Sequence, residues 1–299
     1  MSRLQIAYSP CPNDTFVFHA WAHGLLPDAP ALDVTYADID ITNRLADERS
    51  GPEVMKISYA ALPWVLDDYA LLPCGGALGR GCGPLVLTRG EQPEGPDPLA
   101  ATADVRTDGI DPARLSGKRV AVPSERSTAY LLFRLWVADH VPGGVGEIVV
   151  MPFHEIMPAV RDGRIDAGLV IHEARFTYQD YGLQLMTDLG SWWESDTGLP
   201  IPLGAIIARR GLDTKRLTEW IRASVRHAWD HPQDSTDYVM AHAQEMSPAV
   251  AQAHIELYVN TFTEALGDDG YAAVTALLGR AMDEGLVPKF DLALLCKPD

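Results

Sequence analysis

His172 is a residue whose type and position in the sequence suggest a catalytic role. It follows the apolar run Ala167–Ile171, a composition typical of a strand buried in a parallel sheet. In open α/β sheets, ligands bind beyond the carboxyl ends of the strands, and histidine is the side chain that most often exchanges protons near neutral pH. His172 is therefore a candidate general acid or base. A core histidine bonded to backbone is the alternative, and the local sequence leaves both open.

Two adjacent hydroxyl side chains, Ser127 and Thr128, form the second candidate site. They lie between an apolar strand predicted over 119–122 and an amphipathic helix predicted over 128–139. The unpaired N–H groups at a helix start, together with two hydroxyls, can bind a carboxylate or a phosphate. Ordinary N-capping by a hydroxyl explains the same residues, and the local sequence by itself favours capping alone.

Motifs for metals and nucleotides are incomplete. The HxxxH pairs His19 with His23 and His227 with His231 share helix faces, but alanine follows the first histidine of each pair where a zinc protease has glutamate. No third ligand lies near either pair, so we expect no metal site. The glycine-rich segment 75–83 lacks both the GxxxxGK[ST] and the GxGxxG patterns. A crossover between lobes and a ligand-facing turn both fit its glycines.

The elements that position these residues alternate between strand and helix in the first two thirds of the chain. The predicted strands are 4–9, 32–39, 54–58, 84–88, 119–122, 147–151, 165–171, 182–189 and 203–208. The predicted helices are 15–23, 42–49, 59–67, 128–139, 155–162, 214–229, 232–243, 248–264 and 270–284. This order predicts an α/β fold with largely parallel sheets covered by helices.

The uneven distribution of helices predicts two lobes. The first strands lack enough helix to cover their sheet, and the helices after residue 213 need a sheet to pack on. We therefore expect a larger α/β lobe from 1–90 and 205–299, and a smaller inserted α/β lobe from 91–204. A cleft between the lobes is the expected ligand site. The segment 91–112, with four prolines and six acidic residues, predicts an exposed insertion.

Composition restricts the partners. The 299 residues contain 24 Lys and Arg and 41 Asp and Glu, a formal net charge of −17, which argues against nucleic acid and anionic membrane surfaces as partners. No stretch approaches the length of apolar sequence that spans a bilayer. The four cysteines form no CxxC pair, and no secretory signal is visible at the start. We therefore expect a cytoplasmic protein with reduced thiols.

Several short segments occur in an order that resembles a known family. They are SPCPNDTF at 9–16, KISYAA at 56–61, GGALGRG at 75–81, TAY at 128–130, IHEARFTY at 171–178, WWE at 192–194 and GLPIPLGA at 198–205. Together they resemble the 1,4-dihydroxy-6-naphthoate synthase family of the futalosine route to menaquinone. The similarity extends over nearly the whole chain, and the segments 9–16 and 171–178 are the most specific.

The resemblance implies a two-lobed periplasmic-binding-protein-like fold of type II. It also implies carbon–carbon cleavage of a small-molecule carboxylate, cyclic dehypoxanthine futalosine, to 1,4-dihydroxy-6-naphthoate, without a metal or organic cofactor. Carried over by position, His172 is the catalytic base. The residues that line the substrate site are then Lys56, Ile57, Ser58, Ser127 and Thr128. Threonine is common at the position of Ser127 in the family, so this assignment is weaker than that of Thr128.

The bicyclic ring of such a substrate suits an aromatic wall, for which Trp192, Trp193 and Phe176 are candidates. Two other functions use the same fold. One is a cytoplasmic solute-binding protein for a small aromatic carboxylate, and the other is the related chorismate dehydratase. The segment 171–178 favours the synthase over the dehydratase.

Overall fold

The computed structural model describes residues 3–90, 110–172, 174–243 and 247–295. The chain forms two compact units. Unit 1 contains 1–83, 124–132 and 190–299, and unit 2 contains 84–123 and 133–189. Most of the expected acidic insertion, residues 91–109, lies outside the described residues.

Strands and helices alternate through much of the chain. The strands are β1 Leu4–Tyr8, β2 Leu32–Tyr36, β3 Val54–Ser58, β4 Tyr69–Leu71, β5 Ala77–Gly79, β6 Leu85–Arg89, β7 Arg119–Val122, β8 Glu147–Val150, β9 Ala167–Val170, β10 Leu183–Asp188 and β11 Ile201–Arg209. The helices are α1 Pro12–Ala22, α2 Ile39–Asp47, α3 Leu62–Val65, α4 Thr128–His140, α5 Phe153–Arg161, α6 Ala174–Thr177, α7 Leu189–Thr197, α8 Thr214–Asp230, α9 Thr236–His242, α10 Pro248–Tyr258, α11 Thr261–Glu264 and α12 Gly267–Asp283.

The sheet of unit 1 has the strand order β2-β1-β3-β11-β4, and β5 pairs with the first part of β11. Strands β1, β2 and β3 are parallel, whereas β11 is antiparallel to its neighbours. Phe18 and Trp21 of α1 pack with Ile221 and Val225 of α8 in one apolar core, to which Ile206 of β11 also belongs. The helices after residue 213 therefore bury their apolar faces within unit 1, as the hydrophobic effect requires.

The sheet of unit 2 has the order β10-β6-β9-β7-β8. Strand β7 is parallel to β8 and β9, and β6 is antiparallel to β9 and β10. Helix α5 packs Ile156 and Val160 against Val170 of β9 and Leu85 of β6. This packing fixes the end of β9, and therefore the start of the turn that contains His172.

The sequence-based lobes, 1–90 with 205–299 and 91–204, stay a prediction. The two compact units assign to unit 1 two segments that the sequence places in the inserted lobe, 124–132 and 190–204. One cause is that both segments bond to the first segment of unit 1: the Thr128 hydroxyl accepts from Ala60 N at 3.2 Å, and Gly204 of β11 pairs with Ser58 of β3. Long-range hydrogen bonds of this kind are invisible to periodicity, which reports only local faces.

Helix α1 begins earlier than the sequence predicts. Pro12 occupies its first turn, where the fixed φ of proline fits and its missing N–H has no partner to lose. Asn13 and Asp14, which precede the predicted start at residue 15, therefore lie inside the first helical turn. The helix expected over 248–264 is also divided, because Asn260 caps α11 by accepting a hydrogen bond from Phe262 N. Among the described residues, no helix has the length and apolar composition needed to cross a membrane.

Candidate functional site

The residues predicted for the site are distributed over both units. Unit 1 contains Lys56, Ile57, Ser58, Ser127 and Thr128, and unit 2 contains His172.

Lys56 forms a buried ion pair that sequence reasoning did not find. It lies in β3, whose five residues are all buried. Its Nζ donates to Oδ1 of Asp14, and the two side chains are only 6% and 2% exposed. A lysine at this depth needs an opposite charge, because an unpaired buried ammonium is costly. Asp14 supplies that charge from the first turn of α1, where the helix dipole also favours a carboxylate.

Asp14 is itself held by two further donors. Its Oδ2 accepts from Ser9 N at 3.3 Å, and its Oδ1 accepts from Asn13 Nδ2 at 2.8 Å. The Lys56 ammonium has three N–H donors. Within the described part of the chain, Asp14 is the one acceptor that it contacts. The remaining donors can bind a second anionic group, such as a ligand carboxylate.

Asn43 of α2 determines how Ser58 can act. Ser58 N donates to Asn43 Oδ1 at 2.7 Å, and Asn43 Nδ2 donates to Ser58 Oγ at 3.0 Å. The backbone N–H of Ser58 is therefore occupied. Its hydroxyl oxygen accepts from Asn43, so the hydroxyl proton remains able to donate. Ser58 is thus a hydrogen-bond donor with a fixed position, which suits an anionic ligand.

Ile57 has no exposed surface and aligns with Ala205 of β11 in the antiparallel pair. Its side chain therefore supports the sheet from the core. A role for Ile57 in substrate binding stays a prediction.

The hydroxyls of Ser127 and Thr128 both have structural partners. Ser127 Oγ accepts from Tyr130 N at 3.1 Å and donates to Ser124 O at 2.8 Å, which is the capping arrangement expected as the alternative. Thr128 Oγ1 donates to Leu203 O at 2.8 Å and accepts from Ala60 N at 3.2 Å. Neither hydroxyl has a proton left to donate to a ligand.

The start of α4 nevertheless leaves donors available. In the part of the chain that the structure describes, the backbone N–H groups of Thr128 and Ala129 have no acceptor. They lie at the first two positions of a 13-residue helix. Such groups bind anions, because the helix dipole adds to their own polarity. The backbone of Thr128, rather than its hydroxyl, is therefore the group available to a ligand.

His172 lies in the turn after β9, where the sequence predicts it. Its backbone has φ +55°, a left-handed conformation that is uncommon for residues other than glycine. Its carbonyl oxygen accepts from Arg175 N at 3.3 Å, and its half-buried ring meets that of Phe153 edge to face at 5.6 Å. Backbone strain of this kind costs about 1–3 kcal/mol and clusters at functional sites. Glu173, the next residue in the sequence, lies outside the described residues.

Of the three residues predicted to form an aromatic wall against the ligand, the prediction is wrong for Trp193. Trp193 lies on α7 with no exposed surface, and its Nε1 donates to Pro200 O at 3.0 Å. It is a core residue, because a side chain without accessible surface cannot touch a ligand. Trp192 and Phe176 both keep exposed surface and stay candidates.

The HxxxH pairs have local partners. The rings of His19 and His23 lie 4.4 Å apart, and His23 Nδ1 donates to the backbone oxygen of His19 at 2.9 Å. Burial, and then the neighbouring His23, lower the pKa of His19. The described residues contain no group of three or more histidine, cysteine or acidic side chains placed to hold a metal ion.

The fold defines the class of protein. A crystal structure from Archaeoglobus fulgidus matches with a TM-score of 0.81 and 32% identity, covering 95% of this chain and 98% of the other. The aliphatic sulphonate-binding protein SsuA of Escherichia coli matches with a TM-score of 0.67 and 13% identity, covering 100% and 92%. A Candida albicans protein described as having the generic periplasmic binding protein fold matches with a TM-score of 0.69 and 14% identity, covering 99% of this chain and 94% of the other. The chain has the periplasmic-binding-protein fold.

Sequence relatives narrow the class to one family. A family profile described as menaquinone biosynthesis matches residues 4–283. A Streptomyces coelicolor protein is 69% identical over 288 residues, 95% of each chain, and a Thermus thermophilus protein is 44% identical over 289 residues, 96% of each. Both are named 1,4-dihydroxy-6-naphthoate synthase. The chain belongs to this menaquinone-biosynthesis family, which confirms the resemblance seen in the sequence motifs.

Proposed function

We propose that this chain is a carbon–carbon lyase that converts cyclic dehypoxanthine futalosine to 1,4-dihydroxy-6-naphthoate. The observation that carries this function is the 69% identity, over 95% of both chains, to a relative named for its product. Membership of the menaquinone-biosynthesis family, over residues 4–283, supports the same reaction.

Unit 1 supplies the groups proposed to bind the substrate carboxylate. The Lys56 ammonium, the Ser58 hydroxyl and the Thr128 N–H are donors suited to an anion. Internal hydrogen bonds link their positions, since Asn43 Nδ2 also lies 3.4 Å from Arg126 O, and Ala60 N donates to Thr128. The carboxylate is therefore recognised by donors that are already fixed before it arrives, which lowers the entropic cost of binding.

His172 is the proposed general base. A neutral imidazole takes the proton of a substrate hydroxyl. A carbonyl forms at that carbon as the adjacent carbon–carbon bond breaks, and the three-carbon remnant leaves with this carbonyl. The electron pair of the broken bond enters the ring system as an enolate, which takes a proton back from the imidazolium. The gain in aromaticity drives this step. The left-handed backbone of His172 supports the assignment, because such strain persists where the surroundings demand one side-chain direction.

The test is incubation of the purified protein with cyclic dehypoxanthine futalosine, following the naphthoate by mass and absorbance. His172→Gln and His172→Asn are the paired variants, and asparagine tolerates positive φ, so it controls for the backbone. We expect both to bind ligand with near-normal affinity. Loss of a general base lowers kcat by about 10²–10⁴.

Three outcomes contradict the proposal. Binding of the futalosine without any product indicates a solute-binding protein, and turnover of chorismate instead indicates the related dehydratase. Near-normal kcat in a folded His172→Gln variant removes His172 as the base and directs attention to Lys56 and Glu173. A cytoplasmic location is part of the proposal, supported by membership of a biosynthetic family and tested by cell fractionation.

A further inference from the structure

A chain of four buried polar side chains connects Lys56 to the distant helix α10. Lys56 contacts Asp14, and Asn13 Nδ2 donates to Asp14 Oδ1 at 2.8 Å. Asn13 Oδ1 in turn lies 3.0 Å from Nε2 of His254 on α10, although the two residues are 241 positions apart in the sequence. His254 is 1% exposed. All four residues belong to unit 1.

The charges of Lys56 and Asp14, at one end of this hydrogen-bonded series, determine where the protons lie along the series. A carboxylate paired with an ammonium can only accept hydrogen bonds, so the Asn13 atom that faces Asp14 must be the amide nitrogen. The Asn13 oxygen therefore faces His254. Because an amide oxygen can only accept, Nε2 of His254 must carry a proton. The direction of every hydrogen bond follows from the Lys56–Asp14 pair.

We propose that His254 is a positioning residue for substrate recognition, acting through Asn13 and Asp14 on Lys56. This inference rests on the proposed role of Lys56 in binding the substrate carboxylate. With the Nε2–H donor in place, the Asn13 amide has one orientation. Without it, the buried Asn13 oxygen has no donor, and an amide flip would turn that oxygen toward the Asp14 carboxylate. Asp14 and the Lys56 ammonium then lose their fixed position.

Two amide variants separate the donor from the bulk of the ring. In His254→Gln, the side-chain amide nitrogen reaches the place of Nε2 and can still donate to Asn13. In His254→Asn, the shorter side chain reaches only the place of Nδ1 and leaves the Asn13 oxygen without a donor. Loss of one buried hydrogen bond weakens binding roughly tenfold. We therefore expect KM to rise by roughly that factor in His254→Asn, with kcat within a few-fold, and near-normal KM in His254→Gln.

A double-mutant cycle tests whether His254 acts through Asn13. When Asn13→Ala is already present, His254→Asn should raise KM little further, because the same connection is already broken. Equal KM in His254→Asn and the wild type, in folded proteins of similar melting temperature, would overturn the inference. So would fully additive effects of the two substitutions.

NMR gives a readout that does not depend on turnover. The chain has five lysines, so the ¹³Cε signal of Lys56 can be assigned with a Lys56→Met variant. We expect this signal to move in His254→Asn and to return in His254→Gln, and ¹⁵N spectra to show the Nε2–H form of His254. A wild-type protein without activity on the futalosine would contradict the proposed function alone. An unmoved Lys56 signal, or an Nδ1–H tautomer of His254, would contradict the positioning role alone.

Discussion

Removal of the Asp14 charge by Asp14→Asn is the most direct test of the buried pair with Lys56. Asparagine keeps the size of the side chain and one acceptor oxygen, so Ser9 N or Asn13 Nδ2 can still find a partner. The ammonium of Lys56, whose side chain is 6% exposed, loses its counter-charge. Breaking a buried pair from one side costs about 3–5 kcal/mol. That is a large part of the roughly 5–15 kcal/mol that stabilises a typical domain.

The partner variants complete a thermodynamic cycle. Lys56→Met keeps the aliphatic volume and removes the positive charge. We expect a cost near the lower end of the same range, about 3 kcal/mol, because Asp14 retains its two N–H donors and the α1 dipole. The double variant removes both charges together. Since a neutral pair of similar volume is often as stable as a buried ion pair, it should be more stable than either single variant.

Urea unfolding measures these differences. Tryptophan fluorescence and far-UV circular dichroism should give coincident transitions before a single free energy is assigned, since the chain has two units. Asp68→Asn is the matched control, because the ion pair between Asp68 and Arg49 is exposed: the Arg49 side chain is 66% accessible and the Asp68 side chain 35%. Its expected cost is at most about 1 kcal/mol. A cost for Asp14→Asn no larger than this control, or a double variant as unstable as the sum of the singles, would refute the reasoning.

Two further predictions concern unit 1. Thr128→Val removes a hydroxyl that donates to Leu203 O and accepts from Ala60 N, so it should lower the free energy of unfolding by about 2–3 kcal/mol. Thr128→Ser keeps the hydroxyl and should retain most of the stability. Urea unfolding of both variants checks this prediction, and equal stability of the two variants would contradict it. Burial and His23 lower the pKa of His19 in the folded chain. Below about pH 6.5 the unfolded chain therefore takes up a proton that the folded chain resists, and the free energy of unfolding decreases as the pH is lowered. His19→Gln should flatten this slope between pH 7 and pH 5 in unfolding measurements, and an unchanged slope would count against it.

The sequence by itself determined much of the local structure. The strands predicted over 54–58 and 119–122 have those bounds in the structure, and the helix predicted over 128–139 differs from α4 by one residue. These segments combine apolar periodicity with clear breaks at glycine, proline or serine. The place of His172 after β9 follows from the same signal, an apolar run that ends abruptly. The family could also be identified from ordered motifs, because each is a contiguous stretch of residues.

Only the tertiary structure decided the partners of the site residues. Lys56 sits inside a strand, and a buried lysine signals that a carboxylate must lie close, yet nothing local identifies Asp14, which is 42 positions away. Asn43 and His254 were missed for the same reason. From the sequence Trp193 was a candidate for the aromatic wall of the ligand site, but in the structure it is a buried core residue. The Thr128 hydroxyl was a candidate ligand donor, but in the structure it donates to Leu203 O. Periodicity encodes which face of an element is apolar. It does not encode which elements meet on that face, because that depends on long-range packing and on the need of every buried charge and donor for a partner.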